Sequence, residues 1–270
     1  MSRSIRSLEL REVEELLCWA AAEGWNPGLH DARAFYAADP NGFFGAFVDG
    51  AMVAAIAAIA YDDAFGFIGL YICHADWRGH GHGKAVWDAG MAYLGDRTIG
   101  LDAVPMQRDN YASMGFKAAY DTIHMIGMVG AVPAPIERRS PTQPKDIAGL
   151  DRQCFPADRH AFLHHWLAPP HETFVYRADD WIAAYGVLRP CTDGAKLGPL
   201  FASNVDGAIA LLTARSGLIH IDVPCSQTEF LLTLSALGFS PGFQTTRMYR
   251  GPAPAVRLPF VFGVTSLELG

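Results

Sequence analysis

Along the first 130 residues the spacing of apolar positions changes several times. Val13, Leu16, Leu17, Ala20 and Ala21 recur at i, i+3, i+4, i+7 and i+8, which is the spacing of one helix face. Three apolar runs follow, Phe43–Val48, 51–61 and Phe65–Cys73, separated by Asp-Gly and Asp-Asp turns. They predict an antiparallel meander. Helical spacing returns at Val86, Ala89, Tyr93 and Leu94. The half reads as strand, helix, helix, three strands, helix, strand, helix, strand. That order predicts an α+β fold, with a mixed, mostly antiparallel sheet flanked by helices, and not a regular doubly wound sheet.

The pattern then meets a seam and starts again. Pro133, Pro135, Pro141 and Pro144 fall among Glu137, Arg138, Arg139 and Ser140. Proline has no amide donor and holds an extended backbone, so residues 131–144 read as a linker. On one side of it Gly115-Phe116 is followed by Tyr120, Thr122, His124 and Met125. On the other, Gly238-Phe239 is followed at the same offsets by Phe243, Thr245, Arg247 and Met248. Upstream of each, a strand-like run ends in Asp and Pro, with Asp102 and Pro105 in one and Asp222 and Pro224 in the other. Two copies of one fold are expected. The first spans 1–130, the second 145–254, and 255–270 forms a C-terminal extension.

Composition narrows the function. Half of the 270 residues are hydrophobic and 18% are charged, so the chain can bury a core. The net charge of −7, without a basic block, argues against nucleic acid or an anionic membrane as partner. The run 51–61 is about half of the ~20 residues that span a bilayer. The N-terminus carries charges where a signal peptide needs an apolar core. Five scattered cysteines lack any C-x-x-C pair and fit reduced thiols in a cytoplasmic protein.

The chemistry concentrates in residues 78–84, Arg-Gly-His-Gly-His-Gly-Lys, between a strand and a helix. Alternate glycines turn the backbone tightly and expose successive amides, and the helix start adds unpaired N–H groups and a positive dipole end. Together they suit a phosphate or pyrophosphate. The spacing is neither a P-loop nor G-x-G-x-x-G. Arg78-x-x-Gly81-x-Gly83, followed about 30 residues on by Tyr111-Ala112-Ser113-Met114-Gly115-Phe116, resembles the GNAT superfamily of acyl-CoA-dependent N-acetyltransferases.

The resemblance implies roles. Arg78, Gly79, His80, Gly81, His82, Gly83 and Lys84 would hold the coenzyme A pyrophosphate. Ile72 and Cys73 would pair with the pantetheine amides and polarise the thioester carbonyl. Tyr111 would protonate the departing thiolate. The general base stays open among His74, Asp76, Asp102 and a water chain, because Phe65–Cys73 carries no carboxylate. Trp25 and Asn26, at the end of the first helix, and Gln107 would line the acceptor pocket. Arg189 is read either as a carboxylate receptor or, preferentially, as a solvated strand-end residue. In the second copy Leu234 stands at the position of Tyr111, and 197–204 replaces the glycine loop with one Gly and a Pro. That copy is therefore expected to do no acyl transfer and to wall off the acceptor pocket or meet a partner subunit. His160, His164, His165 and His171 lack the acidic partner of a zinc helix, and no metal is expected. The expected activity is transfer of an acetyl group from acetyl-CoA to a primary amine of a small molecule in a ternary complex. The alternative is a non-catalytic acyl-CoA sensor on the same scaffold. Monomer and homodimer both stay open.

Overall fold

The computed structural model of the chain describes residues 3–130, 136–138, 144–178 and 181–270. The first copy runs β1 (Arg3–Ser7), α1 (Leu10–Ala22), α2 (Asp31–Ala38), β2 (Phe43–Val48), β3 (Ala51–Ala60), β4 (Phe65–Cys73), α3 (His82–Leu94), β5 (Thr98–Ala103), α4 (Arg108–Ser113), β6 (Lys117–Val129). The same order then recurs as β7 (Ile136–Arg138), α5 (Pro144–Cys154), α6 (His160–Trp166), β8 (Glu172–Ala178), β9 (Trp181–Pro190), β10 (Ala195–Ala202), α7 (Val205–Leu212), β11 (Gly217–Pro224), α8 (Thr228–Ala236), β12 (Ser240–Arg250). A short β13 (Val261–Gly263) follows. Of the expected linker, 131–135 and 139–143 lie outside the described residues. The part between them departs from that expectation, because β7 is an edge strand on β8 and Pro144 opens α5. The triplet 136–138 contains no proline, so its amides are free to form a ladder.

The described strands form one sheet in the order β1-β2-β3-β4-β5-β12-β6-β11-β10-β9-β8-β7, with β13 on β10. Replacing each strand by its repeat partner reverses this order, so the sheet has a pseudo-two-fold axis between β12 and β6. Thr122 pairs with Thr245 there, the same residue of each copy. The last strand of each copy has crossed over. β12 of the second copy lies on β5 of the first, and β6 of the first lies on β11 of the second. Neither copy's sheet is complete without the other.

The helices sort into two kinds. Helices α1, α2, α5 and α6 send their apolar faces into one shared core that includes Leu16, Phe35, Leu150, Phe162 and Trp166. Phe35 and Trp166 stack across the copies with ring centroids 5.7 Å apart. Each such fully buried side chain stabilises by about 1.5–3 kcal/mol on transfer grounds. Helix α3 covers the outer face of the first copy, while α7 and α8 cover that of the second. The two copies thus face each other across a four-helix layer, leaving both sheet ends open to the outside.

Candidate active site

In the first copy, β4 and β5 run parallel and pair only through Phe65–Ile68, with Ile68 opposite Leu101. Beyond that point β4 continues to Cys73 and β5 to Ala103, so the strands splay and leave a slot. At the splay β4 also bulges. Ala57 faces Gly69 and Ala55 faces Ile72, which leaves Leu70 and Tyr71 opposite Ile56 alone. Leu70 has φ 45°, a left-handed conformation that costs a branched residue on the order of 1–3 kcal/mol. A bulge of this kind turns backbone groups out of the ladder and re-aims side chains. Nothing in the alternation of Phe65–Cys73 announced it, and the sequence reading missed Leu70 and Tyr71.

The strand leads to the glycine loop. Gly79 and Gly81 take φ 81° and 75°, and Gly81 is the N-cap of α3. The first helical bond runs from the Ala85 amide to the Gly81 carbonyl, 3.2 Å. The His82 and Lys84 amides therefore belong to the unpaired first turn, while the Gly83 amide points at the Cys73 thiol. At Gly83 a Cβ would come within 2.9 Å of the Tyr71 hydroxyl, so a larger residue there would push the phenol aside. The side-chain cations are spent differently from the expectation. Arg78 donates from Nε to the Cys73 carbonyl at 3.0 Å and pairs with Glu23 at the end of α1. Lys84 bonds Asp88 at 2.6 Å, one turn along α3. Arg78 thus ties the loop to α1 and β4, and it is the backbone that faces outward for an anion.

Tyr111, on α4, lies beside this slot in an aromatic group. It stacks on Trp87 at 5.5 Å and meets Phe116 edge-on at 6.1 Å. Trp87 in turn contacts Tyr71 at 5.5 Å. Burial, with Tyr71 adding to it, pushes the Tyr111 phenol up to about 12, so it stays protonated at neutral pH and has a proton to donate. Burial also pushes the Cys73 thiol up, although the Gly83 amide and Arg78 act the other way.

The inner face of the central strands carries paired charges that mirror the sequence repeat. Asp102 on β5 takes two bonds from Arg247 on β12, 2.7 and 2.8 Å. At the repeat-related place, Asp222 on β11 lies 2.7 Å from His124 Nδ1 on β6. His124 Nε2 is 3.1 Å from His220 Nδ1, and Phe243 stacks over His124 at 4.8 Å. Asp102 is thereby withdrawn from the candidate bases, because both its oxygens are occupied by a buried guanidinium. His74 and Asp76 are exposed at the strand end, 3.6 Å apart.

Several acceptor-pocket expectations need correction. Asn26 donates to the Asp193 carbonyl at 2.9 Å and accepts from the Asp193 amide at 3.1 Å. Its amide group is anchored to the β9–β10 turn of the second copy by one bond each way. Trp25 offers its carbonyl to Lys196 at 2.9 Å while its ring remains 39% exposed. Gln107 is exposed and accepts from Asn110 at 3.1 Å. Arg189 is neither solvated nor free for a ligand: it is buried, pairs with Asp31 of α2 and lies 4.5 Å over the Trp166 ring. The carboxylate it recognises belongs to its own chain. The buried His171 completes that cluster, 3.4 Å from Asp31.

The second copy has lost the corresponding slot. Leu234 occupies the Tyr111 position, with Phe239 N bonded to its carbonyl at 2.9 Å as Phe116 N is to Tyr111 at 3.1 Å. Residues 197–202, expected as a degenerate loop, belong to strand β10. Only Ser203 and Asn204 connect it to α7, and the Asn204 side chain caps the helix by accepting from the Gly207 amide at 2.9 Å. The β10/β11 splay is filled as well. β13 pairs with β10, and the Val264 amide reaches the Asp222 carbonyl of β11 at 2.9 Å. The C-terminal extension therefore fills the second splay with a strand, and its last residues run on to the first copy, where the Glu268 backbone packs on Gly69 of β4 and Tyr61 donates to the Leu269 carbonyl at 2.9 Å. Apart from these slots, a groove of about 700 Å³ runs between α1, α2 and residues 165–171, and no residue of β4 or the loop lines it.

Comparison with known proteins follows this geometry. Residues 10–120 match the Acetyltransferase (GNAT) family and residues 147–263 the Acetyltransferase (GNAT) domain. The chain is 30% identical over 262 residues to the holothin acyltransferase of Pseudoalteromonas sp. (strain SANK 73390), covering 93% of this chain and 89% of that one. Its fold is similar to a Pyrococcus horikoshii protein described as an acetyltransferase, at TM-score 0.84 and 18% identity, covering 99% and 96% of the two chains. It is also similar to a tandem GNAT protein from the clavulanic acid biosynthesis pathway, at TM-score 0.66 and 17% identity, covering 93% and 100%.

Proposed function

Because the chain belongs to the GNAT acyltransferases, with two copies of the domain in tandem, we propose that its first copy moves an acetyl group from acetyl-CoA to a primary amine of a small molecule. The observation that carries this reading is the juxtaposition in one copy of the splayed, bulged β4, the amide-lined loop and Tyr111, each of which the second copy lacks or fills. The loop amides of Gly79 to Lys84 hold the pyrophosphate of the donor substrate. The backbone of Leu70 to Cys73 holds its pantetheine arm and polarises the thioester carbonyl.

The neutral amine nitrogen attacks that carbonyl carbon, the C–S bond breaks, and Tyr111 gives its proton to the leaving thiolate. The proton lost from the new amide nitrogen passes to solvent water, from which Tyr111 is reprotonated. Direct attack fits Cys73, whose burial disfavours the thiolate an acyl-enzyme would need. The acceptor approaches from the inner side of the sheet, where the exposed rings of Trp25 and Phe243 belong to different copies. Both rings offer flat apolar surface, and holothin, which the name of the Pseudoalteromonas relative contains, is the first acceptor to test.

The test is a thiol-release assay with acetyl-CoA over a panel of amines that includes holothin. Turnover with at least one amine is expected. Tyr111→Phe should lower kcat by roughly 10²- to 10³-fold while CoA affinity stays within about twofold, as befits loss of a general acid. Tight CoA binding without release for any amine would replace this reading with that of a sensor.

A further inference from the structure

The loop that faces the donor contains two imidazoles that the amide cradle does not require. His82 is the first residue of α3 after the Gly81 cap, and only 9% of its surface is exposed. Among the described residues its Nδ1 is buried without a hydrogen-bond partner. The ring meets Trp77 edge-on at 5.5 Å and lies nearly parallel to the His80 ring at 6.3 Å. His80 Nδ1 is 3.0 Å from the Arg78 carbonyl. From β1, Arg3 reaches over and donates to the Gly81 carbonyl at 3.2 Å. The other nearby cations are already matched, Arg78 by Glu23 and Lys84 by Asp88.

The surroundings of His82 are thus a helix N-terminus, Arg3 and a second imidazole, with no carboxylate bonded to either ring. Burial, then Arg3 and His80, hold His82 below the ordinary imidazole value, so it is neutral at pH 7. A pyrophosphate on the adjacent amides would reverse the sign of the local field. The same burial that disfavours a lone positive charge strengthens its attraction to an anion a few ångströms away.

We propose that His82 is a proton-linked ligand of the donor, its imidazole taking up a proton from solvent when the pyrophosphate of acyl-CoA seats on the loop. This rests on the acyl-CoA reading above. It adds that donor affinity falls as pH rises. A group whose protonation becomes easier in the complex favours binding at pH values below its bound-state titration. A one-unit change gives roughly tenfold over that range.

The probe is dephospho-CoA, because the 3′-phosphate of CoA itself titrates near pH 6 whereas the pyrophosphate does not in the neutral range. Calorimetry on the intact protein at pH 7, in buffers of different ionisation enthalpy, should show uptake of a fraction of a proton up to one. Affinity should weaken three- to tenfold from pH 6 to pH 8. His82→Gln should flatten that dependence, with affinity at pH 8 within about threefold of the unsubstituted protein. His80→Gln should reduce it in part, and serves if the His82 variant folds poorly. Binding with no proton uptake, or an unchanged slope in both variants, would overturn the proposal and leave the donor assignment standing. Failure of both CoA and dephospho-CoA to bind would remove the donor assignment, and the proposal with it.

Discussion

At the scale of single residues, the chain shows how chemical type can be read correctly while its partner is misread. Arg189 does recognise a carboxylate, but that of Asp31, and both groups are sealed from solvent. Arg189→Ala should leave Asp31 buried without its counter-ion and cost about 3–5 kcal/mol in a urea melt, with CoA affinity unaffected at temperatures where the variant is folded. A substrate-binding arginine would do the opposite, raising the acceptor KM with stability intact. Gly81 makes a second case. Its positive φ of 75° forms the cap that opens the loop, so Gly81→Glu combines backbone strain with a carboxylate beside the anion site. Loss of measurable CoA binding in calorimetry is expected, and unaltered affinity would remove the pyrophosphate from this loop. The positions of the loop glycines before α3 and of Tyr111 on α4 were legible because local spacing sets them. Asn26 and Arg189 were not, because each is defined by a residue more than 150 positions away.

At the scale of elements, hydrophobic period gave the correct order for the whole first copy, and the Gly-Phe echo gave the second. The echo has a physical origin: Tyr120 and Phe243, Thr122 and Thr245, and His124 and Arg247 are repeat-related residues of β6 and β12, the strands that meet at the pseudo-two-fold axis. Strand exchange itself was invisible, since the same alternation serves a strand in either sheet. The β4 bulge was invisible too, because one extra residue leaves an apolar run apolar. The exchange places unequal ion pairs at equivalent sites. Arg247 holds Asp102 with two charge-assisted bonds, whereas Asp222 is bonded to an imidazole that has a second imidazole, His220, beside it. Burial alone would raise the Asp222 carboxyl, but the His124 bond and the Lys196 charge leave it below the usual range. Burial and the neighbouring His124 lower His220, with Asp193 only partly opposing them. Both groups therefore contribute stability above their unfolded values that is lost as pH falls, for His220 from about 6.5 downward. The melting temperature should drop between pH 6.5 and 5, and His220→Gln should shrink that drop. An identical profile in the variant would place the acid-sensitive group elsewhere.

At the scale of the molecule, two similar halves yield one working slot. Calorimetry should find one acyl-CoA per chain, since β13 occupies the second splay and Asn204 caps the second helix; a stoichiometry of two would contradict the plug. Residues 1–130 expressed alone should not give a soluble monomer, because β5 would lose its neighbour β12 and expose an edge. The exchange of β6 and β12 also makes the covalent join between the halves dispensable to their union. If the peptide were cut between Arg138 and Pro144, each fragment would still own a strand inside the other's sheet. The fragments should then elute together in size-exclusion chromatography and separate only when denatured, like two hands with fingers interlaced.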